Sequence, residues 1–274
     1  QMSWYEKTGL GKETDYHNYY NPALLCPLLR AEGRQQLGLD SANLLFHGVD
    51  IWHNYEASWL NGKGKPQVAI VQLYFPAQSP FLIESKSLKI YFNSLNFKRF
   101  DGEDDVVKLL ETDLSQASGA QVKVVLIPVN TASQTQQLNG ICLDDLDIEI
   151  TDFALTPQVL KNNTDTDIIS ETLFSHLLRS NCPVTNQPDW GSVSISYIGR
   201  AINHESVLRY LISFRQHNDF HEQCVERIFS DISRYCQPEK LTVQAYYTRR
   251  GGLDINPFRS NVDFSPQFQR LVRQ

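Results

Sequence analysis

No apolar run in the chain approaches the roughly 18 residues of a membrane-spanning helix, and no charged-then-apolar leader opens it. These absences point away from a membrane and toward a cytoplasmic protein. No Lys/Arg cluster exceeds two or three residues, and the net charge is −6. A polynucleotide binder needs a basic face, so direct nucleic-acid binding is not expected. The five cysteines, at 26, 142, 182, 224 and 236, are odd in number and lack framework spacing. They read as reduced thiols, not as a disulfide scaffold. No GxGxxG occurs, which excludes a Rossmann-type dinucleotide site. "TGLGKET" at 8–14 imitates a phosphate loop, but it has Glu13 where Ser or Thr belongs and is discarded.

What is present is a repeat. With 274 residues and 41% hydrophobic content the chain can build a sizeable core. Slid on itself by 119, it aligns Ser87 with Ser206, Tyr91 with Tyr210 and Ser94 with Ser213. "VKVVL" from Val122 then meets "LTVQA" from Leu241. Each half runs strand, strand, helix, helix, strand. "GVDIWHNYEASWL" and "QVAIVQLYF" open the first; "ETLFSHLL" and "GSVSISYI" open the second. Leu88, Tyr91, Phe92 and Leu95, and likewise Val207, Tyr210, Leu211 and Phe214, have helical spacing. The expected class is α+β: two tandem modules, each an antiparallel sheet with two helices on one face. The expected boundaries are an N-terminal extension 1–45, a first module 46–130, an extension and linker 131–166, and a second module 167–274. The N-terminal segment and the 131–166 stretch show no counterpart in the repeat.

The halves differ in their polar residues. "SNCPVTNQPDWGS" (180–192) carries Cys182 and Asp189 around a Pro/Asn turn, where, at the shift of 122 that holds upstream, the first module has Leu60 and Gln67. A polar turn argues against deep burial of Cys182. Asp189 alone reads as a strand-start residue. His221 and Glu222 open a helix that Asp219 could cap, with Glu222 completing a capping box. Glu84, Ser85 and Lys86 open a helix with Ser85 as its N-cap, a start that also suits a phosphate. A site shared by the two modules would explain this division of chemistry. His221 and Cys224, with Cys182 as a third ligand, form a candidate zinc set that competes for the thiol.

Four blocks, "ESKSLKIYFNS", "SNCPVTNQPDWGS", "DFHEQCVERIFSD" and "YTRRGGLDINPFRSN", resemble the two-module form of the NADPH-dependent 7-cyano-7-deazaguanine reductases of queuosine biosynthesis, a tRNA-nucleoside pathway. The resemblance runs through nearly the whole chain. It implies the tunnelling fold, a homodimer, and reduction of a nitrile to a primary amine with NADPH. It implies no resident metal. By resemblance Cys182 is the nucleophile that forms a thioimide, and Asp189 is the general acid and base, with a raised pKa. Ile83, Glu84, Ser85, His221 and Glu222 hold the deazaguanine; Ser85, Lys86, Arg250 and Gly251 hold NADPH. Two rivals remain on the same fold: a zinc-dependent cyclohydrolase-like hydrolase, and a non-catalytic purine-binding module.

Overall fold

Alternation decides the strands. Ala69, Val71, Leu73 and Phe75 are buried and their neighbours less so, which is a strand with one face on a core. Val193, Ile195 and Tyr197 do the same in the second half. The computed structural model describes residues 16, 18–131, 134–164, 167–263, 266, 268 and 270–274; "TGLGKET" lies outside them. Two compact units emerge. One takes the chain up to Asn43, Val49–Ser133 and Arg249–Ile255; the other takes Leu44–Gly48, Gln134–Thr248 and Asn256–Gln274.

In chain order the elements are β1 (Pro27–Leu29), α1 (Arg30–Gln36), β2 (His47–Asn61), β3 (Pro66–Pro76), β4 (Phe81–Ile83), α2 (Ser85–Asn93), β5 (Arg99–Phe100), α3 (Glu103–Ser118) and β6 (Lys123–Ile127). Then follow β7 (Ile141–Cys142), β8 (Ile168–Asn181), β9 (Pro188–Arg200), α4 (His204–Ile212), α5 (His221–Cys236), β10 (Lys240–Tyr247) and β11 (Leu253–Ser260).

In the first unit β3 lies antiparallel between β2 and β6. Leu88, Tyr91 and Phe92 of α2 and Val106, Leu110 and Leu114 of α3 pack with Val71 and Leu73 into its core. In the second unit β8, β9, β10 and β11 form an antiparallel run. Val207, Tyr210 and Leu211 of α4, and Val225, Ile228 and Phe229 of α5, are buried there. The expected plan is therefore present in each unit, with β11 as an added final strand.

The repeat extends to details the sequence alignment does not reach. The β2–β3 register shifts between Asn54 and Ala57, and the β8–β9 register shifts between Ser175 and Leu178. Tyr91 Oη donates to Asp113 Oδ2 at 2.6 Å, and Tyr210 Oη to Asp231 Oδ2 at 2.7 Å. Ser94 and Ser213 each donate from Oγ to the carbonyl of the tyrosine three residues back, at 2.6 Å.

One expectation needs correcting here. The two stretches read as lacking counterparts mirror each other. Pro22–Leu24 and Pro157–Val159 are both 3₁₀ turns. The backbone N–H groups of Asn21 and Thr156 donate to Ser94 Oγ and Ser213 Oγ, at 3.3 and 3.2 Å. Those of Cys26 and Lys161 donate to Ser87 Oγ and Ser206 Oγ, at 2.9 and 3.3 Å. Each segment clips onto the first helix of its own unit. Pro22 matches Pro157 and the buried Leu25 matches Leu160, but at a shift of 135, which the shift of 119 between the modules does not reach.

Candidate functional site

The second unit positions the thiol by closing a loop on it. β8 ends at Asn181 and β9 begins at Pro188, with Ser180 opposite Asp189 in the ladder. Cys182 N–H donates to Gln187 O at 2.9 Å, and Asn186 N–H to Cys182 O at 3.0 Å. Asn186 sits at φ 56°, a left-handed conformation that asparagine tolerates. The segment before α5 pins the same loop from outside. Asn181 N–H donates to His217 O at 2.8 Å, and Asn218 Nδ2 to Cys182 O at 3.2 Å. The result overturns the expectation for Cys182: it is 3% exposed. A polar turn hides its thiol because the backbone hydrogen bonds are met within the loop, so the loop can pack down without orphaning them.

Asp189 is also buried, at 7% exposure, and its Oδ1 lies 3.6 Å from His221 Nε2. The His221 ring is centred 4.0 Å from that of Tyr247. Tyr247 is wholly enclosed; burial, then Cys224 and Asp189 beside it, hold its phenol well above the ordinary value, so it stays protonated. Nothing in the sequence singled out Tyr247, because a tyrosine before "TRRGG" looks like any strand residue.

The start of α5 corrects the capping expectation. The N-cap is Phe220, and its N–H donates to the Gln223 side chain at 3.3 Å. Asp219 instead accepts from Arg227 Nε at 3.0 Å and lies 2.6 Å from His217 Nε2. Gln223, not Glu222, occupies the third helical position and accepts from the cap N–H; Glu222 is 4% exposed. The zinc set does not assemble. Cys224 is fully buried within reach of Ser180 and Tyr247, and burial raises its thiol pKa strongly. Among the described residues no group of three or more His, Cys, Asp or Glu side chains could hold a metal ion.

The first unit gathers the other candidates at the start of α2. The N-cap here is Glu84, not Ser85. Its carboxylate accepts from Lys86 N–H at 2.7 Å and from Ser87 N–H at 2.8 Å. At 1% exposure, burial raises its pKa, against the pull of those two amides and of the Lys86 and Arg250 charges. Two of the helix's amides are thus already taken, and an anion here would rely on the Lys86 and Arg250 side chains and on Ser85. Ile83 belongs to the core and is paired with Pro27 across β1 and β4. Arg250 and Gly251 form a tight turn. A side chain added at Gly251 would meet nothing within 4 Å, so the turn is open to a ligand. Two cations, a helix start and open space at a glycine fit a phosphate-bearing cofactor.

Comparison with known proteins agrees along the length of the chain. A family model described as "Nitrile reductase, 7-cyano-7-deazaguanine-reductase N-term" matches residues 16–126, and one described as "QueF-like protein" matches residues 188–265. The NADPH-dependent 7-cyano-7-deazaguanine reductase of Hydrogenovibrio crunogenus is 54% identical over 270 residues, covering 98% of this chain and 97% of its own. The solved apo structure of an archaeosine synthase QueF-Like aligns with a TM-score of 0.31 at 18% identity, over 36% of this chain and 96% of its own.

Proposed function

Since this chain belongs to the 7-cyano-7-deazaguanine reductase family of nitrile reductases, with two tunnelling-fold modules, we propose a division of labour among its residues for that NADPH-dependent reduction. Cys182 is the nucleophile: its thiolate adds to the nitrile carbon and gives a thioimide. Asp189 gives the nitrogen its proton as the C–S bond forms, and His221 beside it steadies the carboxyl group. His221, Glu222, Glu84 and the Ile83–Ser85 backbone hold the deazaguanine. A carboxylate suits the ring N–H and the exocyclic amine of such a base, a pairing worth about 1–3 kcal/mol when bidentate. Lys86, Arg250, Ser85 and Gly251 hold the cofactor. NADPH supplies hydride, and nitrile to amine takes four electrons, so two equivalents are consumed. The enzyme works as a cytoplasmic homodimer on the free base, without binding tRNA.

Two observations support this reading: the closed loop that buries Cys182 and, in the strand that follows it, a buried Asp189 whose Oδ1 lies 3.6 Å from His221 Nε2. A thiol held in a closed loop suits covalent catalysis, which replaces one hard step by easier ones. The test is stoichiometric. Protein mixed with 7-cyano-7-deazaguanine and limiting NADPH oxidises two NADPH per amine formed, and Cys182→Ala oxidises none. No oxidation by intact, reduced protein would end the reading. Turnover that needs zinc and not NADPH would favour the cyclohydrolase alternative. Unchanged binding and biological role in Cys182→Ala would favour the purine-binding module.

A further inference from the structure

Beneath the Arg249–Arg250 turn of the first unit lies a chain of polar side chains, two buried and two half-buried, that the reaction as described does not use. Asp254, 1% exposed, accepts from Tyr55 Oη at 2.7 Å through Oδ2, and its Oδ1 is 2.6 Å from His53 Nδ1. His53, 2% exposed, lies 2.9 Å from Gln72 Nε2 through its own Nε2. With the amide in this orientation Gln72 donates, so His53 Nε2 accepts and Nδ1–H donates to Asp254. The series crosses from β3 through β2 to the start of β11.

Its last member reaches the turn twice. Tyr55 N–H donates to Gly252 O at 2.9 Å, and the Arg249 guanidinium sits 4.2 Å from the centre of the Tyr55 ring. The turn is closed by Arg250 N–H to Leu253 O at 2.9 Å and Leu253 N–H to Arg250 O at 3.2 Å. Gly251 and Gly252 have φ of 61° and 78°, the paired left-handed form of a two-residue hairpin turn. Glu56, which pairs with Lys89, packs directly under Gly252.

A core strand pair needs none of this; apolar side chains would pack there at lower desolvation cost. A polar network fixes one geometry where apolar packing tolerates several. We propose that Asp254, with Tyr55 and His53, is a positioning device: it sets the height and direction of the Arg250 turn, and so the site at which Arg250 meets the cofactor's phosphates. This rests on the reading of Arg250 as a cofactor contact.

The test uses the full chain with Tyr55→Phe, Asp254→Asn, Arg250→Ala and the double variant Tyr55→Phe/Arg250→Ala. The readouts are KM for NADPH, kcat, and formation of the Cys182 adduct with 7-cyano-7-deazaguanine in the absence of NADPH, followed by mass spectrometry. Tyr55→Phe keeps the ring under Arg249 and removes one hydroxyl. It raises KM for NADPH about fivefold, the size of one lost hydrogen bond, with kcat within about twofold and adduct formation unchanged. In the Arg250→Ala background the same change adds nothing, because its route to the cofactor is gone. If Arg250→Ala raises KM but Tyr55→Phe and Asp254→Asn do not, the positioning role is wrong and the cofactor assignment stands. If the Tyr55 effect persists in full without Arg250, the network is merely structural and the proposal is overturned. If Arg250→Ala leaves KM unchanged, the cofactor assignment itself fails, and the proposal with it. Should Asp254→Asn not fold, Tyr55→Phe, which keeps every apolar contact, decides alone.

Discussion

Asp231 shows how a single half-buried carboxyl makes stability depend on pH. Burial raises its pKa above the ordinary 3.8, opposed by the Tyr210 hydroxyl and by Arg227, Arg234 and His217. A raised folded pKa means that the folded state holds the proton more tightly. The stabilisation is therefore complete below about 3.8 and is lost as pH climbs through the raised value. Asp231→Asn cannot titrate. In urea denaturation the wild type loses stability relative to this variant as pH rises from 3.8 upward, and a difference that stays flat across that window would refute the assignment. Asp189→Asn acts on the reaction instead. It keeps the shape, cannot relay the proton, and lowers kcat by about 10²–10⁴ at any cofactor concentration, as rapid-mixing kinetics will show. The sequence named Cys182, Asp189, His221 and Glu222, because turn chemistry and a helix start are local signals. It did not name Tyr247 or Asp254, and it argued against deep burial of Cys182. Burial depends on what closes over a loop, and here that is Asn218, far along the chain.

At the scale of elements, the helix starts were legible but their caps were not. Both Glu84 and Ser85 are polar, and only the backbone angles decide which one turns back on the helix. The same ambiguity moved the α5 cap from Asp219 to Phe220 and Gln223. In α4 the cap is Asn203, whose Oδ1 accepts from Ser206 N–H at 2.9 Å. Asn203→Ala costs about 1 kcal/mol, read as a lower urea midpoint with an unchanged slope. The Arg250 turn is stricter. Gly252 has φ 78°, and a Cβ there would lie 2.5 Å from Glu56 Cδ. Gly252→Ala loosens NADPH binding about tenfold in a fluorescence titration, because a residue with a Cβ strains this left-handed backbone, while the flexible Glu56 side chain can move aside. Gly251 also has positive φ, with open space beside it, so Gly251→Ala meets the same backbone strain alone.

For the molecule as a whole, sedimentation equilibrium of the full chain gives about twice the chain mass if the homodimer is correct; a monomer at micromolar concentration would remove that part of the reading. The sequence by itself determined the α+β class and the two-fold repeat of strand, strand, helix, helix, strand, and it supplied the candidate residues on which the proposed chemistry rests. Apolar periodicity and turn residues are properties of neighbours in the chain, and they survive without a fold. Tertiary structure alone decided that Pro22–Leu24 and Pro157–Val159 are equivalent clips, and that Cys182 is enclosed. It alone joined Gln72, His53, Tyr55 and Asp254 beneath one turn. These depend on backbone groups and on partners up to about two hundred residues apart, and only folding brings such groups within hydrogen-bonding distance.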